Sequence, residues 1–310
     1  MTTEKTTENT LRQADNQAVI EGVLLEKRIE EKEVNKKLAI TGEFDIEVAE
    51  GEVHTLKVFS YKLKQDGTEN GIFKGLKTVM DEYKSVASEG KEEADKIRIT
   101  NGQIGINDYY GQDGKLKSFP QLSTNFINRV KAGEDFEPKA EFELELFVKA
   151  VIPEVKNEEE TGRAILQGFV PLYGGKVMPF TFIVENEGAV EYIQDNYEPG
   201  STVKVYGDIV NKVEITKVLE EVGFGKPKEK INRKTVREYI ITGGSEPYDE
   251  ENVKSYSGET IKKALTEREI YLEELKNKKN EPKKEEKKKG FDTKPKEDKK
   301  PKFNTNDLPF

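Results

Sequence analysis

Alternation of apolar and charged residues marks several stretches of the chain as half-buried strands. In residues 141–149, Phe142, Leu144, Leu146 and Val148 share one parity, while the charged residues and Phe147 share the other. Successive strand residues point to opposite sides, so the first set faces a core and the second faces outward. An earlier β-rich run over 18–25 holds Gly22, where a curled strand commonly needs a residue without Cβ. Alternation continues over 37–48 and 54–63, up to the turn pair Asp66-Gly67. The period then lengthens to that of a helix, with Ile72, Leu76, Val79, Met80 and Tyr83 along one stripe of residues 72–86. Strand patterning returns at 96–100 and 103–106, and Tyr109 and Tyr110 lead into a tight turn from Gly111 to Gly114. Three strands, a helix and closing strands form the element order of an OB barrel.

The order then recurs. Residues 141–149 and 163–173 are strands, Gly174-Gly175 is a hairpin turn, and 177–184 is a third strand. A short helix over 188–197 turns Val190 and Ile193 inward, and closing strands begin at Ser201. Phe180 and Phe182 are assigned to packing. After about Gly225 come a strand at 236–242, a Gly243-Gly244 turn and a helix at 258–276. Its apolar positions, Ile261, Ala264, Leu265, Tyr271, Leu272 and Leu275, recur at helical spacing. That helix either packs on the second barrel or binds a partner. The expected fold is mainly β, with two tandem five-stranded OB-type barrels, a C-terminal helical segment and a disordered tail. The expected divisions are a disordered N-terminus (1–16), a first barrel (17–136), a second barrel (137–225), a strand and helix extension (226–276) and a flexible tail (277–310).

Composition narrows the function. The chain has 310 residues, of which 36% are charged and 34% hydrophobic, so part of it is expected to lie outside any packed core. Cysteine is absent, which removes disulfides and thiolate metal sites. The polar N-terminus carries no apolar run of signal-peptide length, and no segment approaches membrane-spanning length, so a cytoplasmic protein with no membrane partner is expected. Net charge is −9, which at face value opposes a phosphate partner. The average hides two regions, because residues 276–302 carry 13 Lys against 6 acidic residues and leave residues 1–275 at −15. A nucleic-acid groove on such a body has to be a local strip of cations among aromatics.

Enzyme chemistry finds no footing. His54 is the one histidine, so no histidine metal cluster and no Ser-His-Asp arrangement can be assembled. Gly223, Gly225 and Lys226 resemble part of a phosphate loop, but Glu220 stands where its first glycine belongs and Pro227 where Ser or Thr belongs. No spacing of acidic residues separates a Mg²⁺ site from solvated surface. No cofactor and no metal are expected.

Single-strand binding needs flat rings for bases and cations along the backbone path. Lys57, Phe59 and Tyr61 share an outward parity while Leu56 and Val58 face inward. Tyr109, Tyr110, Lys115 and Lys117 surround the 111–114 turn, and the two tyrosines, being adjacent, cannot both enter one core. In the second barrel Arg163, Phe169 and Tyr173 fall on one side of a strand, with Lys176 past its turn, and Lys204 and Tyr206 share a face of a closing strand. The candidate DNA-binding set is therefore Lys57, Phe59, Tyr61, Tyr109, Tyr110, Lys115, Lys117, Arg163, Phe169, Tyr173, Lys176, Lys204 and Tyr206. For any one of these rings, core packing is the competing role.

Residues 99–110 (ITNGQIGINDYY), 123–130 (STNFINRV), 239–245 (YIITGGS) and the terminal 307–310 (DLPF) carry a resemblance. On them the chain resembles phage-encoded single-stranded DNA-binding proteins of Gram-positive hosts, and its tip is similar to that of bacterial single-stranded DNA-binding proteins. The resemblance implies OB barrels and sequence-tolerant binding of single-stranded DNA in replication, recombination or repair, in the host cytoplasm if the protein is phage-encoded. It also implies recruitment of proteins such as a helicase, primase or polymerase through Asp307, Leu308, Pro309 and Phe310. Here that tip follows a Lys-rich tether instead of the family's acidic run, and the tether is either a solvated spacer or a DNA contact. Two rival readings remain: a single-stranded RNA-binding protein, since OB surfaces accept both nucleic acids, and a protein-interaction scaffold. With two barrels in one chain, a monomer is expected.

Overall fold

Each alternating stretch reaches its partner through a turn whose chemistry is local. The computed structural model describes residues 11–220, 224, 228–249 and 251–280. The first barrel comprises β1 (Asn16–Val34), β2 (Lys37–Ala49), β3 (Glu52–Tyr61), helices α1 (Gly71–Glu82) and α2 (Val86–Glu89), β4 (Lys96–Tyr110) and β5 (Leu116–Ser123). A two-residue strand, β6 (Asn128–Arg129), follows and pairs with β4. The second barrel comprises β7 (Lys139–Lys156), β8 (Glu159–Pro171), β9 (Val177–Val184), helix α3 (Glu187–Asn196), β10 (Thr202–Glu220) and β11 (Lys228–Gly244). A last helix, α4 (Gly258–Asn280), closes the described chain.

Strand pairing defines both barrels without further argument. In the first, β1 pairs with β2, β2 with β3, β3 with β5 in parallel, β5 with β4, and β4 returns to β1. In the second, β7 pairs with β8, β8 with β9, β9 with β11 in parallel, β11 with β10, and β10 returns to β7. This is a closed five-stranded Greek-key arrangement twice over, with a helix before the fourth strand each time: the OB fold. The second barrel takes its fifth strand from the C-terminal part of β11, where Ile240 pairs with Ile183, so it runs past the boundary expected at residue 225. At the other end, residues 11–16 are packed: Ala14 is buried and Arg12 pairs with Glu145.

The two barrels share small devices that the chain repeats. The first turn of each is a two-residue loop with positive φ at both positions, Asn35 and Lys36 in one and Asn157 and Glu158 in the other. Asn tolerates that left-handed backbone, and the paired geometry matches the twist of the flanking strands. The first helix after the third strand of each barrel is N-capped by Asn. Asn70 accepts from the Ile72 N–H at 3.0 Å, and Asn186 accepts from the Ala189 N–H at 3.1 Å. Gly22 serves a close approach, because a Cβ there would collide with the Glu47 carbonyl and the Ile46 side chain.

Inward parity fills the barrels as the pattern dictates. Ile20, Leu24, Ile40, Phe44, Leu56, Ile97 and Ile99 are fully buried in the first, beneath Phe73, Leu76 and Val79 of α1. Phe142, Leu144, Leu146 and Val148 fill the second with Phe180 and Phe182. Burying one such side chain contributes about 1.5–3 kcal/mol. The barrels are also joined by backbone, since β1 pairs with β7 from Asn16↔Leu144 to Glu21↔Lys139. A second tie runs from β10 to β3, where Lys212 pairs with Glu52 and Asn211 Nδ2 donates to the Val53 carbonyl at 2.5 Å. α4 packs against both barrels, touching β9 and β4, rather than the second alone.

Candidate nucleic-acid interface

On β3 the outward residues form a strip. Lys57 and Phe59 are exposed, Tyr61 is half-buried, and the inward Leu56 and Val58 are in the core. The Phe59 and Tyr61 rings meet edge to face at 4.9 Å, which holds both upright on the barrel surface. Tyr61 lies beside the β1–β2 turn: Lys37 Nζ sits 5.9 Å from its ring centroid, and Asn35 Nδ2 donates to its hydroxyl at 3.4 Å. Just past β5, Asn125 accepts from the Phe59 N–H at 3.2 Å, and Phe126 stands 51% exposed. Lys57, Phe59, Gln103, Asn125 and Phe126 thus border one recess of about 550 Å³. Rings, a cation and carboxamides in one groove are the materials for stacking bases along a single strand.

The β4–β5 hairpin extends this face. Tyr109 pairs with Lys117 across the hairpin, and its ring lies 6.1 Å from that of Phe119, both exposed. Lys115, also exposed, stands at the turn. Tyr110 takes the other side. It shares parity with Asp108, whose carboxylate is held by Arg268 of α4 at 2.8 Å, so Tyr109 and Tyr110 do not present to one ligand surface. The sequence pattern missed Phe119 and Phe126. Pro120 disguised β5, because a proline is tolerated there only where its missing N–H faces an open edge, and β5 meets β3 only at Leu122 and Ser123.

In the second barrel the candidates are scattered and largely engaged. Arg163 donates to Glu238 at 2.6 Å and lies near Glu154 and Glu185. Phe169 is packed against the core, across from Phe147 and Pro179. Tyr173, 83% exposed, sits in the turn beside α4 with Lys176 next to it, away from Arg163. Lys204 is paired with Glu143 at 2.5 Å, and that hydrogen bond holds its ammonium above the ordinary lysine pKa. Tyr206 is exposed opposite Gly243, in a recess shared with Glu141, Glu143 and Asp208. A cation already neutralised by a carboxylate, or a ring among carboxylates, offers a phosphate backbone little. Asp307, Leu308, Pro309 and Phe310 lie outside the described residues.

Two features were not anticipated. The β10–β11 hairpin continues as a two-stranded ribbon, paired from Val205↔Gly244 out to Glu220↔Lys228. It carries exposed Val213, Ile215 and Ile231 among Lys212, Lys217, Arg233, Lys234 and Arg237. Between the barrels lies a cleft of about 660 Å³, bordered by β3 and β5 on one side and β9, β10 and β11 on the other. His54 lines it, 1% exposed, and its Nε2 has no hydrogen-bond partner among the described residues. Burial pulls the imidazole down to about 4, so it is neutral at pH 7. Among the described residues no three His, Asp or Glu side chains gather as a metal site, and no helix is long and apolar enough to cross a membrane.

Fold and groove together define a tandem OB-fold protein with an aromatic and basic face on its first barrel. The chain belongs to the YorF family, whose model matches residues 14–278. No curated protein matches it in sequence. Among solved structures, it is similar to a deletion mutant of the single-stranded DNA binding protein from Thermus aquaticus, with a TM-score of 0.45 and 12% identity, over 78% of this chain and 98% of that one.

Proposed function

We propose that this protein binds single-stranded DNA without reading its sequence, along the first-barrel face that runs from Tyr61 past Phe59 and Lys57 to Tyr109. The observation that carries the reading is the exposed Phe59 between Lys57 and Tyr61, with Phe126 across the recess and the Tyr109–Phe119 pair on the adjoining hairpin. Every base has a π-face, so such a surface tolerates any sequence. Residues 1–275 carry a net charge of −15, so a polyanion has to be held by local cations and rings rather than drawn by the overall field. The protein acts as a binding module in phage DNA replication, recombination or repair, and its terminal residues Asp307 to Phe310 recruit a replication or repair partner. Pull-down with and without residues 307–310 tests that last assignment.

The DNA reading is tested by titrating labelled oligothymidine at several salt concentrations. If about five phosphates are neutralised, log K falls against log salt with a slope of roughly −3.5. An affinity independent of salt contradicts it.

A further inference from the structure

We propose that the cleft between the barrels is a second subsite for the same strand, taking up one unstacked nucleobase against His54 while Arg237 holds the adjoining phosphate at the mouth. This rests on the single-stranded DNA reading and extends it from a surface to a path.

Continuity is the first argument. Lys57 borders both the recess of Phe59 and Phe126 and the inter-barrel cleft, so a strand laid along the β3 face arrives at the cleft without leaving protein. The second argument is the buried His54 Nε2, which makes no hydrogen bond among the described residues, the Glu52 carboxylate at 3.8 Å being beyond hydrogen-bond reach. Buried polar groups are almost always hydrogen-bonded, and an exception at the wall of a cavity points to a ligand that completes it. A neutral imidazole has one donor and one acceptor nitrogen, and the edge of a base offers both complements. Among polar neighbours such as Thr55, Gln121 and Thr181, the lining includes Phe119 and Leu122 from the first barrel and Ile183 and Ile209 from the second. A flat apolar ring with a polar edge suits that lining.

Charge decides which part of the nucleotide enters. Glu43 and Glu238 also line the cleft, and though Arg28 and Arg163 engage them, their carboxylates disfavour a phosphate inside. Arg237, by contrast, is exposed at the mouth, with its Nε donating to Asn211 Oδ1 at 3.2 Å. That bond orients the guanidinium and leaves its outer edge for a phosphate. The base therefore goes in and the backbone stays out. The walls are preset, because β1–β7 pairing and the β3–β10 contact tie the barrels on both sides of the gap. The volume, about 660 Å³, lies within the range of preformed ligand sites, about 300–1,000 Å³.

The test compares oligothymidines of about six and about 25 nucleotides, since one OB face takes about 4–16 nucleotides. Arg237→Ala and His54→Gln should each weaken the long probe about 10-fold and leave the short one within about twofold, the loss expected for one stacked, anchored base. In the unsubstituted chain, a single 5-iododeoxyuridine moved along the long probe should photocrosslink at one position to a peptide containing His54 or Tyr239. If His54→Gln melts early, Arg237→Ala and the crosslink decide. Undiminished long-probe affinity in Arg237→Ala, with crosslinks confined to the Phe59 and Tyr109 faces, overturns the cleft subsite and leaves the first-barrel reading standing. Failure of the unsubstituted chain to bind the long probe overturns both.

Discussion

Arg268 of α4 and Asp108 of β4 form an ion pair at 2.8 Å, 160 residues apart in the chain and both largely shielded from water. Ser118 donates to the same carboxylate at 2.6 Å, and further along α4 the Lys279 ammonium donates to the Gly111 carbonyl. The C-terminal helix of a chain whose second barrel it follows is thereby fastened to the β4–β5 hairpin of the first. That hairpin carries Tyr109 and Phe119, so α4 sets the angle of one wall of the proposed binding face.

Removing the fastening should free the hairpin. Arg268→Ala leaves Asp108 buried without its cation, a loss of about 3 kcal/mol if the hairpin stays docked, and undocking is the cheaper response. Amide exchange over residues 104–122 should accelerate while the second barrel keeps its protection. Unchanged exchange there would mean that strand pairing alone holds the hairpin.

Tyr109 and Tyr110 should behave differently when replaced singly by Ala. Tyr109 shares its side with Lys117 and Phe119, and its loss should weaken single-strand binding by about 1–3 kcal/mol. Tyr110 lies on the side of Asp108, and its loss should lower the melting temperature more than the affinity. Equal losses of affinity would contradict the two-sided hairpin.

Acid should destabilise the protein in two windows. Burial lowers the His54 pKa from 6.5 to about 4, so its contribution is present above pH 6.5 and is lost as pH falls towards 4. Across that interval the cost is roughly 3 kcal/mol. Glu145 covers the lower window. Burial raises its carboxyl, but the Asp15 N–H, Arg12 and Tyr248 together outweigh burial and hold it below the ordinary 4.5. Its contribution is present above pH 4.5 and is lost as pH falls through the depressed value. Urea unfolding at pH 7, 5 and 4 should show the first decline in the unsubstituted chain and a shallower one in His54→Gln. Parallel declines would show that His54 is not the group responsible.

Much of this architecture was legible because burial on one side of a strand writes itself as parity. Phe142 to Val148, and Leu56 and Val58 against Lys57 and Phe59, announce their faces directly. Parity says which side a residue takes, not what covers that side. Arg163 was legible as outward, yet Glu154, Glu185 and Glu238, which engage it, come from three separate parts of the second barrel. Lys204 meets Glu143 only because β10 closes onto β7. β11 was read as an extension because the pattern breaks near Gly225, whereas the pairing of Ile240 with Ile183 makes it the closing strand. The cleft was invisible for the same reason: His54 and Phe119 belong to the first barrel and Arg237 to the second, and the β1–β7 and β3–β10 ties bring them to one gap.

Competition measures the nature of the ligand most directly. Labelled oligothymidine bound to the full chain is challenged with unlabelled poly(dT), poly(U) and duplex DNA at one salt concentration. Because stacking on Phe59, Phe126 and Tyr109 requires open base faces, poly(dT) should displace the probe at far lower concentration than the duplex, with poly(U) showing whether the 2′-hydroxyl matters. Displacement by duplex as effective as by poly(dT), or no binding of the probe at all, would contradict a single-strand-binding face on the first barrel.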